Sequence, residues 1–96
     1  MFKIFIEYKI SEKGIHEYLK TMKAVRERMI NEQSVVNYQH FEGTDQPLLF
    51  VEMFDVETLE EYERLKHLRC EKDPMIADWV QGGKDKIHMW AFKELE

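Results

Sequence analysis

Histidine and cysteine are the residue types in this sequence that most often bind metals or act as nucleophiles. The chain has four histidines and one cysteine, namely His16, His40, His67, His88 and Cys70. A metal site needs two or three such ligands within reach of one ion. Only His67 and Cys70 have a suitable spacing, three residues apart on one side of a helix, and no third ligand accompanies them. We therefore predict no metal site.

Two glutamates could form an acid–base pair. Glu7 and Glu52 occupy matching positions in two similar segments, Phe5–Tyr8 and Phe50–Met53. If these segments lie side by side as parallel strands, the two carboxylates share a face, and burial together would push one of them toward its protonated form. Neutralisation by a nearby lysine, or a place at the wet rim of an interface, is the alternative.

A third group of residues has the mixed character of a small-molecule site, mostly apolar with a few polar groups. Its members are Tyr8, Asn37, Gln39, Met53, His67, Cys70 and Trp79. The candidates for catalytic residues among them are Tyr8, Asn37, His67 and Trp79. A small core with a few hydrogen-bonded polar groups would have the same composition.

Periodicity predicts the elements that must position these residues. Strands have alternating apolar residues, and helices have apolar residues at steps of three and four. Ser11 and Asp55 are the predicted N-caps of the two helices, and Pro74 must interrupt the second. The predicted strands are 2–10, 35–42, 48–54 and 86–94, the helices follow residues 11 and 55, and a short helix spans 75–80.

The order strand, helix, strand, strand, helix, strand is that of the ferredoxin-like fold. We therefore predict one α+β domain over residues 1–96. Its four-stranded antiparallel sheet has the order 4-1-3-2, with both helices on one face. A weak internal repeat, in which Ile15–Tyr18 resembles Leu59–Tyr62, supports two related halves.

The repeat also predicts which side chains face the helices. The expected helix-facing residues are Ile4, Ile6, Tyr8, Val35, Asn37, Gln39, Phe41, Leu49, Val51, Met53, Ile87, Met89 and Ala91. The opposite face would then expose many aromatic side chains, and such an apolar patch indicates an interface. We predict a homodimer with its sheets face to face. The predicted interface residues are Phe5, Glu7, Tyr38, Phe50, Glu52, Trp90 and Phe92.

Composition excludes several classes of function. The net charge is −5 and no basic patch is present, which argues against binding to a nucleic-acid backbone. No apolar segment approaches membrane-spanning length, and a strand starting at Phe2 leaves no room for a signal peptide. A single cysteine fits a reducing compartment. These features predict a cytoplasmic protein.

The element order, the length, the aromatic sheet face and the Pro-interrupted second helix resemble the dimeric α/β-barrel superfamily. This group includes antibiotic-biosynthesis monooxygenases, IsdG-type haem-degrading enzymes, NIPSNAP-like proteins and many small bacterial proteins. The resemblance implies a homodimer that binds or oxidises a small hydrophobic or aromatic molecule without a cofactor, in a pocket between helices and sheet.

Two alternatives remain at this point. One is a haem-binding or haem-degrading protein, although the Asn that those enzymes carry in strand one is absent here, and Trp79 and His67 do not match their Trp and His with certainty. The other is a non-catalytic dimerisation module whose pocket is collapsed.

Overall fold

The computed structural model describes all residues, 1–96. Four strands and two helices follow one another in the predicted order. They are β1 (Phe2–Lys9), α1 (Ile15–Asn31), β2 (Val36–Glu42), β3 (Leu49–Val56), α2 (Leu59–His67) and β4 (His88–Lys93). The strands form one antiparallel sheet in the order β2-β3-β1-β4, which is the predicted 4-1-3-2 arrangement. The fold prediction is therefore confirmed.

The helices begin at side-chain caps. The hydroxyl of Ser11 accepts a hydrogen bond from the Gly14 amide and caps a short 3-10 turn that leads into α1. The hydroxyl of Thr58 accepts from the Glu61 amide at the start of α2. The predicted cap Asp55 was wrong, because β3 continues through that residue and Asp55 pairs with Lys3 at 3.0 Å on the sheet.

The segment after α2 is irregular. A π-helical turn, Leu68–Lys72, extends α2, and only one 3-10 turn, Ala77–Trp79, occupies the predicted short helix. Trp79 packs closely against Gly14: a β-carbon on that glycine would lie 2.7 Å from the indole side chain. The glycine therefore lets this segment close over the start of α1.

The core lies between the helices and one face of the sheet. From β1 it takes Ile4, Ile6 and Tyr8, and from β4 Met89, all buried as predicted. In α1 the buried residues recur at steps of three and four, namely Tyr18, Met22, Val25 and Met29. No helix of the structure is long and apolar enough to cross a membrane.

The predicted facing of β3 was wrong. Residues directly opposite each other on antiparallel strands point to the same face. Ile6 lies opposite Glu52 and Tyr8 opposite Phe50, so Phe50, Glu52 and Phe54 face the helices. Leu49, Val51 and Met53, which were expected under the helices, lie on the other face.

The predicted facing of β2 was also wrong beyond its first residue. The register shifts between Val36 and Gln39, and Asn37 has a φ of 57°. This β-bulge inserts one residue and reverses the alternation after it. Tyr38 is therefore buried under the helices, whereas Asn37 and Phe41 are exposed.

Candidate functional site

A buried ion pair lies on the helix-covered face of the sheet. Arg69 Nη1 donates to Glu52 Oε1 at 2.9 Å, and Nη2 donates to Oε2 at 2.7 Å. The two side chains are 2% and 0% exposed. Such a pair is stable only when its remaining hydrogen-bonding capacity is also satisfied, because burial removes both charges from water.

Strand β3 and the π-helical turn position the pair. Glu52 lies in the middle of β3, and Arg69 follows Leu65 by four residues, on the buried side of the helix. π-Helical turns are rare and frequently occur at functional sites. This turn holds two buried side chains, Arg69 and Cys70.

Two tyrosines complete the hydrogen bonding of the carboxylate. The Tyr38 hydroxyl donates to Glu52 Oε1 at 2.5 Å, and the Tyr8 hydroxyl donates to Oε2 at 2.8 Å. No buried side-chain nitrogen or oxygen in the structure lacks a hydrogen-bond partner. The carboxylate is therefore fully coordinated by four donors.

Burial and charge act in opposite directions on this cluster. Burial alone would raise the pKa of Glu52, but the charge and hydrogen bonds of Arg69, with those of Tyr38 and Tyr8, outweigh it and hold that pKa below its ordinary value. Burial, reinforced by the negative charge of Glu52, raises the pKa of both Tyr8 and Tyr38. The pair is thus ionised and the phenols are neutral at pH 7.

A line of hydrogen bonds connects the ion pair to the edge of the sheet. The Tyr8 and Tyr18 hydroxyls are 2.7 Å apart, and the Tyr18 hydroxyl is 2.7 Å from His40 Nε2. His40 lies on the edge strand β2 and is half-buried. Burial lowers the pKa of this imidazole, which favours its neutral form. We call Glu52, Tyr8, Tyr18 and His40 the relay.

The opposite, open face of the sheet has a broad apolar groove of about 700 Å³. Central strands β1 and β3 supply its floor, and edge strands β2 and β4 supply its walls. Its lining residues are Phe5, Glu7, Phe41, Val51, Met53, Trp90 and Phe92. Phe41, Trp90 and Phe92 are 46%, 44% and 52% exposed, so the walls consist of large apolar side chains in contact with solvent.

The four predicted catalytic candidates do not form one site. Tyr8 belongs to the relay. Asn37 is exposed at the bulge, where its amide donates to Asp55 at 3.2 Å, and His67 is exposed at the end of α2. Trp79 packs against Gly14, and no hydrogen bond links any two of the four.

The predicted interface residues divide between the two faces. Phe5, Glu7, Trp90 and Phe92 line the open groove. Tyr38, Phe50 and Glu52 were placed on the wrong face, for they are buried under the helices. The predicted pairing of Glu7 with Glu52 is likewise wrong, because the strands are antiparallel and Glu7 lies opposite Val51.

Arg69, Tyr18 and His40 are the residues of the cluster that the sequence prediction missed. Arg69 had a detectable signal, since it lies seven residues after Tyr62 and four after Leu65, in line with the apolar stripe of α2. An arginine in a buried stripe implies a buried acidic partner. Nothing in the sequence placed Tyr18 beside His40. No group of three or more His, Cys, Asp or Glu side chains in the structure could hold a metal ion.

Comparison with known proteins by sequence gives no assignment. No protein-family profile matches the chain. No curated protein matches it either.

Comparison with solved structures gives a clear fold. An antibiotic biosynthesis monooxygenase matches with a TM-score of 0.81 at 14% identity, covering 100% of both chains. A conserved protein from Methanosarcina mazei Go1 matches with a TM-score of 0.79 at 10% identity, covering 98% of this chain and 92% of its own. Rv0793 from Mycobacterium tuberculosis matches with a TM-score of 0.77 at 7% identity, covering 99% and 95%. The chain has the same ferredoxin-like fold as these solved structures.

Proposed function

We propose that the protein is a homodimer, joined through the open faces of its sheets, that binds a small hydrophobic or aromatic molecule and acts on it as a monooxygenase-like enzyme. The observation that carries this proposal is the apolar groove with one carboxylate. Small-molecule sites are typically 300–1,000 Å³ in volume and mostly apolar, with a few polar groups that orient the ligand. The groove, at about 700 Å³, has this size and composition.

The area of the open face is large enough for a second copy of the chain to bind there. Four strands of about 25 Å occupy on the order of 500 Å² of flat area, so two copies bury on the order of 1,000 Å². That value is near the lower limit for a specific protein interface, about 1,000 Å². Solvent exposure of Trp90 and Phe92 is costly, because burying one large aromatic side chain contributes about 2–3 kcal/mol.

The charges on this face are compatible with a two-fold arrangement. Neither Glu7 nor Lys9 forms an ion pair within the chain. They alternate on β1, so both lie on the open side of the sheet. In an isologous dimer the same patch meets itself, which lets Glu7 of one copy approach Lys9 of the other.

The shape of the groove supports a space for a ligand between the two copies. When two concave surfaces meet across a two-fold axis, the walls touch and the floors stay apart. The contacts then come from Phe41, Trp90 and Phe92, while the space above Val51 and Met53 remains for a ligand. Glu7 is the one ionisable group in that space, and it can orient the ligand or accept a proton from it.

The monooxygenase-like activity rests on the shared fold, and function has to be argued from a site. The description of one solved structure of this fold as an antibiotic biosynthesis monooxygenase suggests oxidation of the bound molecule. Oxygen uptake with simple phenols and naphthols is therefore the assay that follows a positive binding result.

The binding step is tested with N-phenyl-1-naphthylamine, a neutral probe that fluoresces in apolar sites. We expect saturable binding to the wild-type protein. Val51→Trp fills the groove floor and should weaken binding about tenfold or more, which corresponds to about 1.4 kcal/mol. The control, Leu19→Trp, adds the same side chain at an exposed apolar position of α1 and should leave binding unchanged. Equal binding by both variants would contradict the proposal.

A dimerisation module without a ligand is the second candidate, and one observation favours it. The ion pair and the relay occupy the space between helices and sheet where the resemblance implied a pocket. Of their residues, only Tyr8 lines one of the five main cavities, which has a volume of about 240 Å³. A dimer that binds no probe would support this candidate. No comparable observation favours haem, since no histidine or cysteine lines the groove.

A further inference from the structure

The groove on the open face combines aromatic side chains with a single charged one. Phe5, Phe41, Trp90 and Phe92 line it, and Glu7 is the only charged lining residue. No lysine, arginine or histidine belongs to the lining. The face of an aromatic ring carries partial negative charge, so a cation placed over it is attracted. The rings and the carboxylate therefore favour the same kind of ligand group, a positive one.

The strand register places Glu7 within reach of these rings. Glu7 and Phe41 lie opposite Val51 from either side, on β1 and β2. Phe5, two residues before Glu7 on the same face of β1, lies opposite Trp90 on β4. Trp90 is thus a diagonal neighbour of Glu7, and diagonal neighbours in a sheet are about 7–8 Å apart. This separation leaves room for a small cationic group between the carboxylate and the indole.

Contacts between rings hold the aromatic side chains in place. The Trp90 indole stacks on His88 with centroids 5.7 Å apart and planes at 15°. Phe5 and Phe92 meet edge to face, with centroids 5.3 Å apart and planes at 83°. Rings that are already packed lose little freedom when a ligand binds, which favours affinity.

The Glu7 carboxylate has no cationic partner in the monomer. It is half-buried and forms no ion pair. Lys9, Lys86 and His88 are the titratable cationic groups nearest to it, and they line a smaller cavity that shares only Glu7 with the groove. In the proposed dimer, Lys9 of the other copy can approach Glu7, and a ligand cation would take its place.

We propose that the groove selects an organic cation, a hydrophobic molecule with a protonated or quaternary ammonium group. The ammonium group binds between the Glu7 carboxylate and the Trp90 ring, and the apolar part of the ligand covers Val51 and Met53. This inference rests on the proposed function, because it names the class of ligand for the same groove. The carboxylate and the rings stabilise a cation more than a neutral molecule of the same shape.

A matched pair of ligands isolates the charge. Benzyltrimethylammonium and neopentylbenzene have the same shape and differ only in a positive nitrogen in place of a carbon. Binding is followed by NMR through the methyl signals of Val51 and the indole N–H of Trp90, which is identified by its loss in Trp90→Leu. We expect the cation to shift both signals in the wild-type protein and to bind about tenfold more tightly than the neutral molecule. Equal affinities, or no shift of either signal, would overturn the inference.

Two charge variants test the role of Glu7. Glu7→Gln removes the carboxylate with little change in shape. It should weaken binding of the cation about tenfold and binding of the neutral molecule less than about twofold. The control, Glu17→Gln, removes the same charge from an exposed position of α1 and should leave both affinities unchanged. Equal weakening in the two variants would show that only the net charge of the protein attracts the cation, and would overturn the inference.

The contribution of the indole is tested by Trp90→Leu, which removes the ring and keeps an apolar side chain. Loss of apolar area weakens both ligands, so the informative quantity is the ratio of their affinities, measured through the Val51 methyl signals. This ratio should fall about fivefold, because the variant lacks the aromatic face of Trp90. An unchanged ratio would contradict the binding of the cation at Trp90.

Failure of this inference is distinguishable from failure of the proposed function. N-phenyl-1-naphthylamine is neutral and reports on the groove alone. If it binds to the wild-type protein and weakly to Val51→Trp, but the cation has no advantage over neopentylbenzene, the groove is a ligand site and only the inference is overturned. If neither the naphthylamine nor the cation binds, both proposals are overturned.

Discussion

The helix-covered face of the sheet holds a sealed ion pair, whereas the open face holds exposed aromatic side chains around a carboxylate without a partner. Glu52 and Glu7 illustrate the contrast. Each follows an aromatic residue by two positions in a similar strand. Glu52 receives four hydrogen bonds from its own chain, and Glu7 forms no ion pair within it. The covered face has all its buried polar groups hydrogen-bonded within the chain, whereas the open face leaves large apolar side chains exposed to solvent.

The comparison shows that strand register decides the role of a residue type. Because β1 and β3 are antiparallel, Glu52 shares a face with Ile6, and Glu7 shares a face with Val51. A buried carboxylate requires an internal cation, which Arg69 supplies. A carboxylate on the exposed face is available to a ligand or to a second copy.

The largest expected effect comes from breaking the sealed pair. Arg69→Met leaves Glu52 buried without its cation and should lower the free energy of unfolding by about 3–5 kcal/mol. The matched control is Arg64→Met, which breaks surface ion pairs with Glu32 and Glu61 and should cost about 1 kcal/mol or less. Urea unfolding measures both. Equal losses would contradict the contrast between a sealed core pair and surface pairs.

The hydrogen bonds that tyrosines donate to the Glu52 carboxylate extend the same comparison. Tyr38→Phe removes a donor to a charged acceptor and should cost about 1.5–3 kcal/mol. Tyr62→Phe removes a similarly buried hydroxyl that donates to the Met89 carbonyl at 3.1 Å, and should cost about 1 kcal/mol. Thermal and urea unfolding of the two variants measure these two losses of stability. A larger loss in Tyr62→Phe would mean that Tyr38 adds little to the carboxylate.

Acid should weaken the covered face through Glu52. Its pKa in the folded protein lies below the ordinary value of 4.5, which applies in the unfolded chain. The stabilising contribution is therefore complete above pH 4.5 and is lost as the pH falls through the lower folded-state pKa. The difference in unfolding free energy between wild type and Glu52→Gln should shrink below pH 4.5, by about 1.4 kcal/mol for each unit of pKa difference.

The matched acid control is on the surface. The hydrogen bond from Arg64 also lowers the pKa of Glu61, but this pair lies on the surface, so the pH-dependent difference between Glu61→Gln and wild type should stay within about 1 kcal/mol. A pH-independent difference for Glu52→Gln would show that its carboxylate does not have a lowered pKa in the folded protein.

The smallest expected effect on folding comes from the open face. Phe92→Asp changes a half-exposed side chain whose ring meets Phe5 edge-on at 5.3 Å, so the unfolding free energy of the monomer should fall by about 1 kcal/mol or less. The measurement uses protein dilute enough for wild type to be monomeric as well. A loss of several kcal/mol would show that Phe92 belongs to the monomer core.

The sequence was sufficient for the fold, because the order of elements and the apolar periodicity of β1, β4 and α1 agree with it. It was insufficient to predict which side chains of β2 and β3 face the helices. The bulge at Asn37 depends on one backbone conformation, and the register of β3 depends on its partner strand. The weak repeat suggested that Phe50 and Glu52 match Phe5 and Glu7 in facing as well as in sequence, and antiparallel pairing reverses that facing.

The candidate site was less predictable than the fold. Tyr8 was selected correctly as a helix-facing polar residue, but the other members of the cluster come from four separate elements, namely α1, β2, β3 and the π-helical turn. Tyr18 lies in the apolar stripe of α1, and its hydroxyl acquires a role only when β1 and β2 bring Tyr8 and His40 to either side of it. Such contacts depend on tertiary structure and leave no local pattern in the sequence.

The central claim, that the open face is completed by a second copy, is tested most directly by the mass of the protein in solution. Sedimentation velocity at micromolar concentration should give twice the chain mass of 11.7 kDa for wild type and for the surface control Ile30→Asp, and the single chain mass for Phe92→Asp. A wild-type protein that sediments as a single chain at this concentration would contradict the account.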